Sequence, residues 1–275
     1  MREHAVQFGP GGRLVGVLCE PEADRRRPGV PALIVSNIGF NHRPAPFRLY
    51  VELSRRLARL SITTLRFDLS GRGDSGPRRD ARSDADCAIE DTREAMAWLA
   101  ERRKAERFLL LGLCSGTDAA HALAASDARV VGAVFIDGYA YATLRSRVRF
   151  WVHRRFSCRH WARLFRCLRL GVRRSDLGTD EIFIREYPSR ERMAADLGAM
   201  LARDARLLFI YTSDVEHVYN YDGQFHDMLA PARLRGRVEL ERYPDADHLF
   251  SVQRERLLAR IGAFVAKHWP EGGLP

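Results

Sequence analysis

Chemistry-bearing side chains and a telling spacing coincide at Leu110–Asp118, where the chain reads LLGLCSGTD. An apolar segment runs into a helix-like one, and the turn between them sets a cysteine beside a serine. Glycines stand two residues before and two residues after Cys114, at Gly112 and Gly116. On a tight strand-to-helix turn this spacing serves the middle residue. The glycines admit neighbouring backbone, and the middle side chain is lifted from the carboxyl end of the strand toward a helix N-terminus. Cys114 is therefore the candidate nucleophile. Ser115 is one step off register, and its backbone N–H suits an oxyanion hole. A helix N-terminus and an adjacent histidine both favour the thiolate. The competing reading is a buried structural cysteine next to a helix-capping serine.

Such a turn needs strands and helices to hold it, and the pattern supplies them. Ala5 to Phe8 and Leu14 to Cys19, split by GPGG, predict a β-hairpin. Ala32 to Asn37, Ile62 to Phe67, Phe108 to Leu113 and Val130 to Ile136 are apolar runs of buried-strand length. Phe47 to Leu60, Asp84 to Arg102 and Thr117 to Ala125 carry apolar residues at helical spacing between them. Strand and helix alternate with short connections, which predicts a mostly parallel sheet covered on both faces. The alternation breaks between about Gly138 and Ala205, a helical segment rich in Arg and aromatics. Strands resume at Arg206 to Tyr211 and Arg237 to Tyr243, and a helix from Val252 to Lys267 closes the pattern. The expected organisation is an α/β core from 1–137 and 206–275, with a helical lid insertion over 138–205.

Composition bounds the rest. In 275 residues, 46% hydrophobic with 14 Phe and 4 Trp, there is ample material for a core. The five cysteines have no repeated spacing, which suggests neither a disulfide framework nor a zinc ligand set. The opening MREHAVQFGPGG has no apolar run after its charges, so the expected location is cytoplasmic. The net charge of +10 favours anionic partners or substrates, although much of it is arginine.

With the elbow and the alternation in view, the chain resembles an α/β-hydrolase over nearly its whole length apart from the insertion. Familiar members carry serine at the elbow, and GLCSG departs toward the cysteine-nucleophile members, such as those similar to dienelactone hydrolases. NIGFNHRPAPFRLYVELSRRLA and LRFDLSGRGDSG are similar to the oxyanion loop, first helix, and following strand and loop of the serine-aminopeptidase-like and acyl-hydrolase branches. The resemblance implies a triad in chain order nucleophile, acid, histidine. It places the acid at Asp214, with Glu216 in reserve, and the base at His248 in the loop before the final helix. It pairs the Phe40 backbone N–H with that of Ser115 as the oxyanion hole. Asn37 stands where the family's motif has histidine, and its side chain can hold the loop by hydrogen bonds instead. Asn41, His42 and Arg43 either line the pocket or belong to a solvated loop. Gly71 to Gly76 fits G-x-G-x-x-G, but Pro77 and a charged stretch follow it rather than a helix. A dinucleotide-binding reading is therefore rejected, and the stretch matches the family's DxxGxGxS loop.

The insertion interleaves Arg145, Arg147, Arg149 and further arginines with Phe150, Trp151, Phe156, Trp161 and Phe165. That composition suits nucleic acid or a membrane surface. A lid whose aromatic side roofs the pocket is preferred, because this fold binds ligands at the carboxyl end of its sheet. The expected function is an acyl hydrolase, on ester or thioester, using a Cys114–His248–Asp214 triad and a covalent thioacyl-enzyme. Acyl transfer or cyclisation onto an amine or alcohol is the runner-up, and a non-catalytic protein binding an anionic ligand is a third reading. No cofactor and no metal is called for. The expected partner is a small acyl substrate, anionic or carrier-linked, rather than nucleic acid.

Overall fold

The structure, a computed structural model, describes residues 1–25, 27, 29–37, 39, 41–156, 187–229 and 238–270. Eight strands form one sheet: β1 (Arg2–Phe8), β2 (Leu14–Glu20), β3 (Ala32–Ser36), β4 (Thr64–Phe67), β5 (Phe108–Leu113), β6 (Val130–Ile136), β7 (Arg206–Thr212) and β8 (Glu239–Tyr243). Their order across the sheet is β1-β2-β4-β3-β5-β6-β7-β8. β1 and β2 pair antiparallel, as do β2 and β4, and all later neighbours are parallel. The α/β-hydrolase fold expected from the sequence is the fold observed.

The helices are α1 (Leu49–Arg59), α2 (Asp84–Arg103), α3 (Gly116–Ser126), α4 (Leu144–Phe156), α5 (Arg190–Ala202), α6 (Gln224–Met228) and α7 (Arg254–His268). Leu49, Leu53 and Leu57 of α1 and Leu257, Ile261 and Phe264 of α7 pack under one face of the sheet. Met96 and Leu99 of α2, Leu123 of α3, Met193 and Met200 of α5, and Phe225 of α6 cover the other. α1, α2, α3, α5 and α7 each bury an apolar stripe of helical period, whereas α4 leaves Leu144, Val148, Trp151 and Val152 exposed. Ser83 caps α2 by accepting the Asp86 N–H at 3.2 Å, and Ser189 caps α5 by accepting that of Arg192 at 3.2 Å.

Several boundaries shift by a few residues from the sequence expectation, two of them for plain local reasons. The strand expected from Ile62 begins at Thr64, because the end of α1 uses the preceding residues. Ser61 adopts a left-handed φ of 67°, and the Ile62 N–H closes back on Leu57 O at 3.0 Å. The first strand starts earlier than expected, at Arg2, as an outer strand paired along its length with β2. Within the expected insertion, α5 buries Met193, Leu197, Met200 and Leu201 in the core beside α3. Residues 157–186, including Trp161, Phe165 and the arginines among them, lie outside the described residues.

β3 is the point at which the chain reverses. It leaves β3 through α1 to β4 on one side, then crosses through α2 to β5 on the other. The carboxyl ends of β3 and β5 therefore flank the crevice where open α/β sheets bind ligands. Among the described residues, no helix is long and apolar enough to cross a membrane.

Candidate active site

β5 ends at Leu113, α3 starts at Gly116, and Cys114 turns the corner between them with a left-handed φ of 54°. A non-glycine residue in this region is strained, and the surroundings hold it there. The Cys114 N–H bonds Ile136 O at 2.9 Å, while its carbonyl accepts the Thr117 N–H at 3.0 Å and the Thr117 hydroxyl at 2.6 Å. The glycine spacing has a direct cause. A Cβ on Gly112 would stand 2.3 Å from Gly116 O, inside any tolerable contact with backbone. Cys114, not Ser115, is thus the residue lifted at the elbow, and it is partly buried.

His248 lies in the loop between β8 and α7 and reaches the elbow. Its Nδ1–H donates to Asp137 Oδ2 at 2.7 Å, leaving Nε2 for the hydrogen bond between its ring and the Cys114 side chain. Burial works against a charged ring here. The hydrogen bonds to Asp137 and Cys114 overcome it and raise the His248 pKa to about 10.

The acid is a correction to the sequence expectation. Asp137, at the end of β6, holds the imidazole, and Asp214 does not. Asp214, after β7, instead accepts the His248 backbone N–H on Oδ2 at 2.9 Å, so it shapes the histidine's loop. Glu216, the reserve acid, offers its backbone carbonyl to Asn220 at 3.0 Å. Asp137 is wholly buried and has a left-handed φ of 47°. Its carboxylate accepts the Thr212 N–H at 2.7 Å and the Thr212 hydroxyl at 2.6 Å. Those bonds from the end of β7 turn its Oδ2 toward His248. The sequence carries a signal for it: VFIDG puts an aspartate directly after a buried strand, at the same sheet edge as the elbow.

The loop after β3 meets the elbow from the other side. Phe40, the expected second oxyanion donor, lies outside the described residues. Gly39, with a φ of 48°, donates its N–H to Ser115 Oγ at 3.1 Å. At the end of β3, the Asn37 side chain is tied to the stretch after β4: Oδ1 accepts the Leu69 N–H at 3.1 Å. The glycine-rich stretch after β4 is a second prop. Buried Asp68 accepts the Arg43 N–H at 2.6 Å and pairs with the Arg43 guanidinium, which also reaches Asp74 at 2.7 Å. Arg43 is therefore tied into the scaffold.

A cavity of about 470 Å³ lies between α3 and α5, lined by Asp118, His121, Tyr139, Tyr187, Arg192 and Asp196 among others. Neither Cys114 nor His248 lines it, and these two side chains meet outside it. Among the described residues, no group of three or more His, Cys, Asp or Glu side chains is placed to hold a metal ion.

This geometry belongs to a known family. The chain matches the alpha/beta hydrolase family over residues 32–261 and is a member of it. Its fold is similar to that of a serine hydrolase without a lid from Xanthomonas campestris, with a TM-score of 0.60, 18% identity, and 100% of this chain and 98% of that one covered. It is also similar to an esterase from Pyrococcus furiosus, with a TM-score of 0.60, 18% identity, and coverage of 98% and 93%. A serine hydrolase homologue from Coxiella burnetii matches with a TM-score of 0.54, 13% identity, and coverage of 98% and 97%. No curated protein matches the chain.

These similarities correct the sequence reading of the branch. The structures the chain resembles are described as serine hydrolases and an esterase, not as cysteine enzymes. The expected Cys–His–Asp acyl hydrolase with a covalent thioacyl-enzyme rested on one elbow atom, sulfur in place of oxygen. One atom does not assign a branch, and the serine hydrolases among these similar structures overturn the cysteine-based chemistry.

Proposed function

We propose that the chain is an acyl hydrolase acting on carboxylic esters, with Cys114, His248 and Asp137 as its site residues. The observation that carries this reading is the run of hydrogen bonds from Asp137 through His248 to the elbow side chain, at the carboxyl edge of the sheet. Asp137 fixes the tautomer, so that Nε2 handles the proton on the reacting side. The same Nε2 takes the proton released as the attacking group adds to the carbonyl and returns it to the departing alkoxide. The ester carbonyl lies against the elbow, and the Ser115 backbone N–H and the loop after β3, Phe40 included, receive the charge that develops on its oxygen. The Ser115 N–H belongs to the first turn of α3, where backbone donors have no partner within the helix.

α4, on the segment that leaves the core between adjacent strands β6 and β7 at the edge that holds the site, serves to select the acyl group. Exposed Arg145, Arg147 and Arg149 on α4 support an anionic or carrier-linked acyl substrate.

The test is hydrolysis of p-nitrophenyl esters from acetate to palmitate. The wild type is expected to hydrolyse at least one chain length to the free acid. His248→Ala is expected to lose about 10³-fold or more in kcat, with Cys114→Ala and Cys114→Ser compared on the same ester. Failure of the wild type on every ester, or full activity of His248→Ala, would overturn the reading.

A further inference from the structure

Ser115 follows the elbow residue and stands at the N-cap of α3, where a serine ordinarily turns its hydroxyl onto a backbone N–H of the first turn. Here it does not. Its own φ and ψ are helical, at −60° and −24°, and its side chain makes no cap hydrogen bond. The Oγ points across the crevice and accepts the Gly39 N–H at 3.1 Å.

Gly39 is held from its other side as well. Arg72, from the glycine-rich stretch after β4, donates Nη1–H to Gly39 O at 2.5 Å. The carbonyl and the N–H of one glycine are thereby tied to two different elements, the elbow and the loop after β4. That glycine has a left-handed φ of 48°, in the loop that leaves β3 beside the elbow. Ser115 Oγ is the member of this clamp that belongs to the elbow itself, so it fixes the distance between the loop and the Cys114 turn.

We propose that Ser115 is a positioning residue. Its hydroxyl holds Gly39, and with Arg72 it sets the loop after β3 at the spacing from the elbow that a carbonyl oxygen needs. Its effect on turnover rests on the acyl-hydrolase reading, whereas its effect on the loop does not. Preorganised donors act through fixed geometry, so loosening the loop lowers kcat more than it weakens ground-state binding. The side-chain hydroxyl acts on Gly39, and the backbone N–H of Ser115 is left as it was by a change of side chain.

The experiment pairs two readouts on Ser115→Ala and Ser115→Thr. The first is amide hydrogen exchange at Gly39, followed by NMR on the full chain. Exchange is expected to quicken about tenfold in Ser115→Ala and to return toward the wild-type rate in Ser115→Thr, which keeps a hydroxyl. The second is ester hydrolysis. Here kcat is expected to fall about five- to tenfold in Ser115→Ala, the worth of one hydrogen bond, with KM within about twofold and rescue by threonine. Unchanged Gly39 exchange in Ser115→Ala would overturn the proposal whatever the activity. Quickened exchange with kcat unchanged would overturn the positioning role in catalysis. If the wild type hydrolyses no ester, the functional reading falls, and the exchange result still decides whether Ser115 holds the loop.

Discussion

Replacing Asp137 with asparagine tests the assignment of the acid, and Asp214→Asn is its internal control. The Asp137 carboxylate is wholly buried and accepts the His248 Nδ1–H at 2.7 Å, with both Thr212 bonds fixing its orientation. An asparagine there can turn its amide toward the ring. Nδ1 then becomes the acceptor and Nε2 carries the hydrogen, so the reacting nitrogen can no longer take a proton. The wrong tautomer in a triad costs about 10⁴-fold in kcat, or about 5 kcal/mol. Asp214 serves His248 through its backbone N–H, and an asparagine oxygen accepts that bond as well. Asp214→Asn should therefore cost less than about tenfold, the net worth of one hydrogen bond.

The assay is steady-state hydrolysis of the best p-nitrophenyl ester, with NMR titration of His248 beside it. Against burial, which lowers it, the hydrogen bonds to Asp137 and Cys114 raise the histidine pKa to about 10, so in Asp137→Asn it should move down, whereas Asp214→Asn should leave it raised. The linkage has a definite sign. A histidine that holds its proton more tightly in the fold contributes stability that is fully present below its ordinary pKa and is lost as pH rises toward about 10. Asp137→Asn should flatten this alkaline loss. If Asp214→Asn lost thousands-fold in kcat while Asp137→Asn stayed within tenfold, the assignment would be refuted.

Gly112→Ala should lower stability by about 3 kcal/mol or more, measured by urea denaturation, because the added Cβ meets Gly116 backbone at 2.3 Å; wild-type stability would show that the turn opens to admit it. His121 tests a different buried histidine. Burial holds its pKa below the ordinary value, with Asp196 acting in the opposite direction, so the fold loses stability as pH drops below about 6.5. His121→Phe, which keeps a ring beside Phe135 and Tyr139, should remove that acid sensitivity, and an unchanged slope between pH 5 and 7 in denaturation experiments would contradict it.

The elbow could be read from sequence because its signal is steric and local. Gly112 is required by the turn itself, and Cys114 lies two residues beyond it. His248 could be read because the last loop at the carboxyl edge has few histidines to offer. The acid could not be settled in the same way. Asp137 and Asp214 each follow a buried strand, and those strands, β6 and β7, are neighbours. Choosing between the two depends on the left-handed turn at Asp137 and on Thr212, a contact spanning 75 positions of sequence. Asp68, Arg72 and Ser115 carry the same lesson. Their spacing shows loop and cap residues, and the bonds to Arg43 and Gly39 exist only once β3 and β4 lie side by side.

The excursion between β6 and β7 begins one residue past Asp137 and ends at the strand that carries Thr212. The two hydrogen bonds between Asp137 and Thr212 clip the roots of this excursion together at the sheet. Among the described residues of this excursion, α4 leaves Leu144, Val148, Trp151 and Val152 exposed and can change without altering the reach from the carboxylate to His248, whereas α5 is part of the core. The molecule thereby separates an exchangeable surface helix from a fixed socket: substitutions on α4 leave the geometry from Asp137 to His248 below the clip in place.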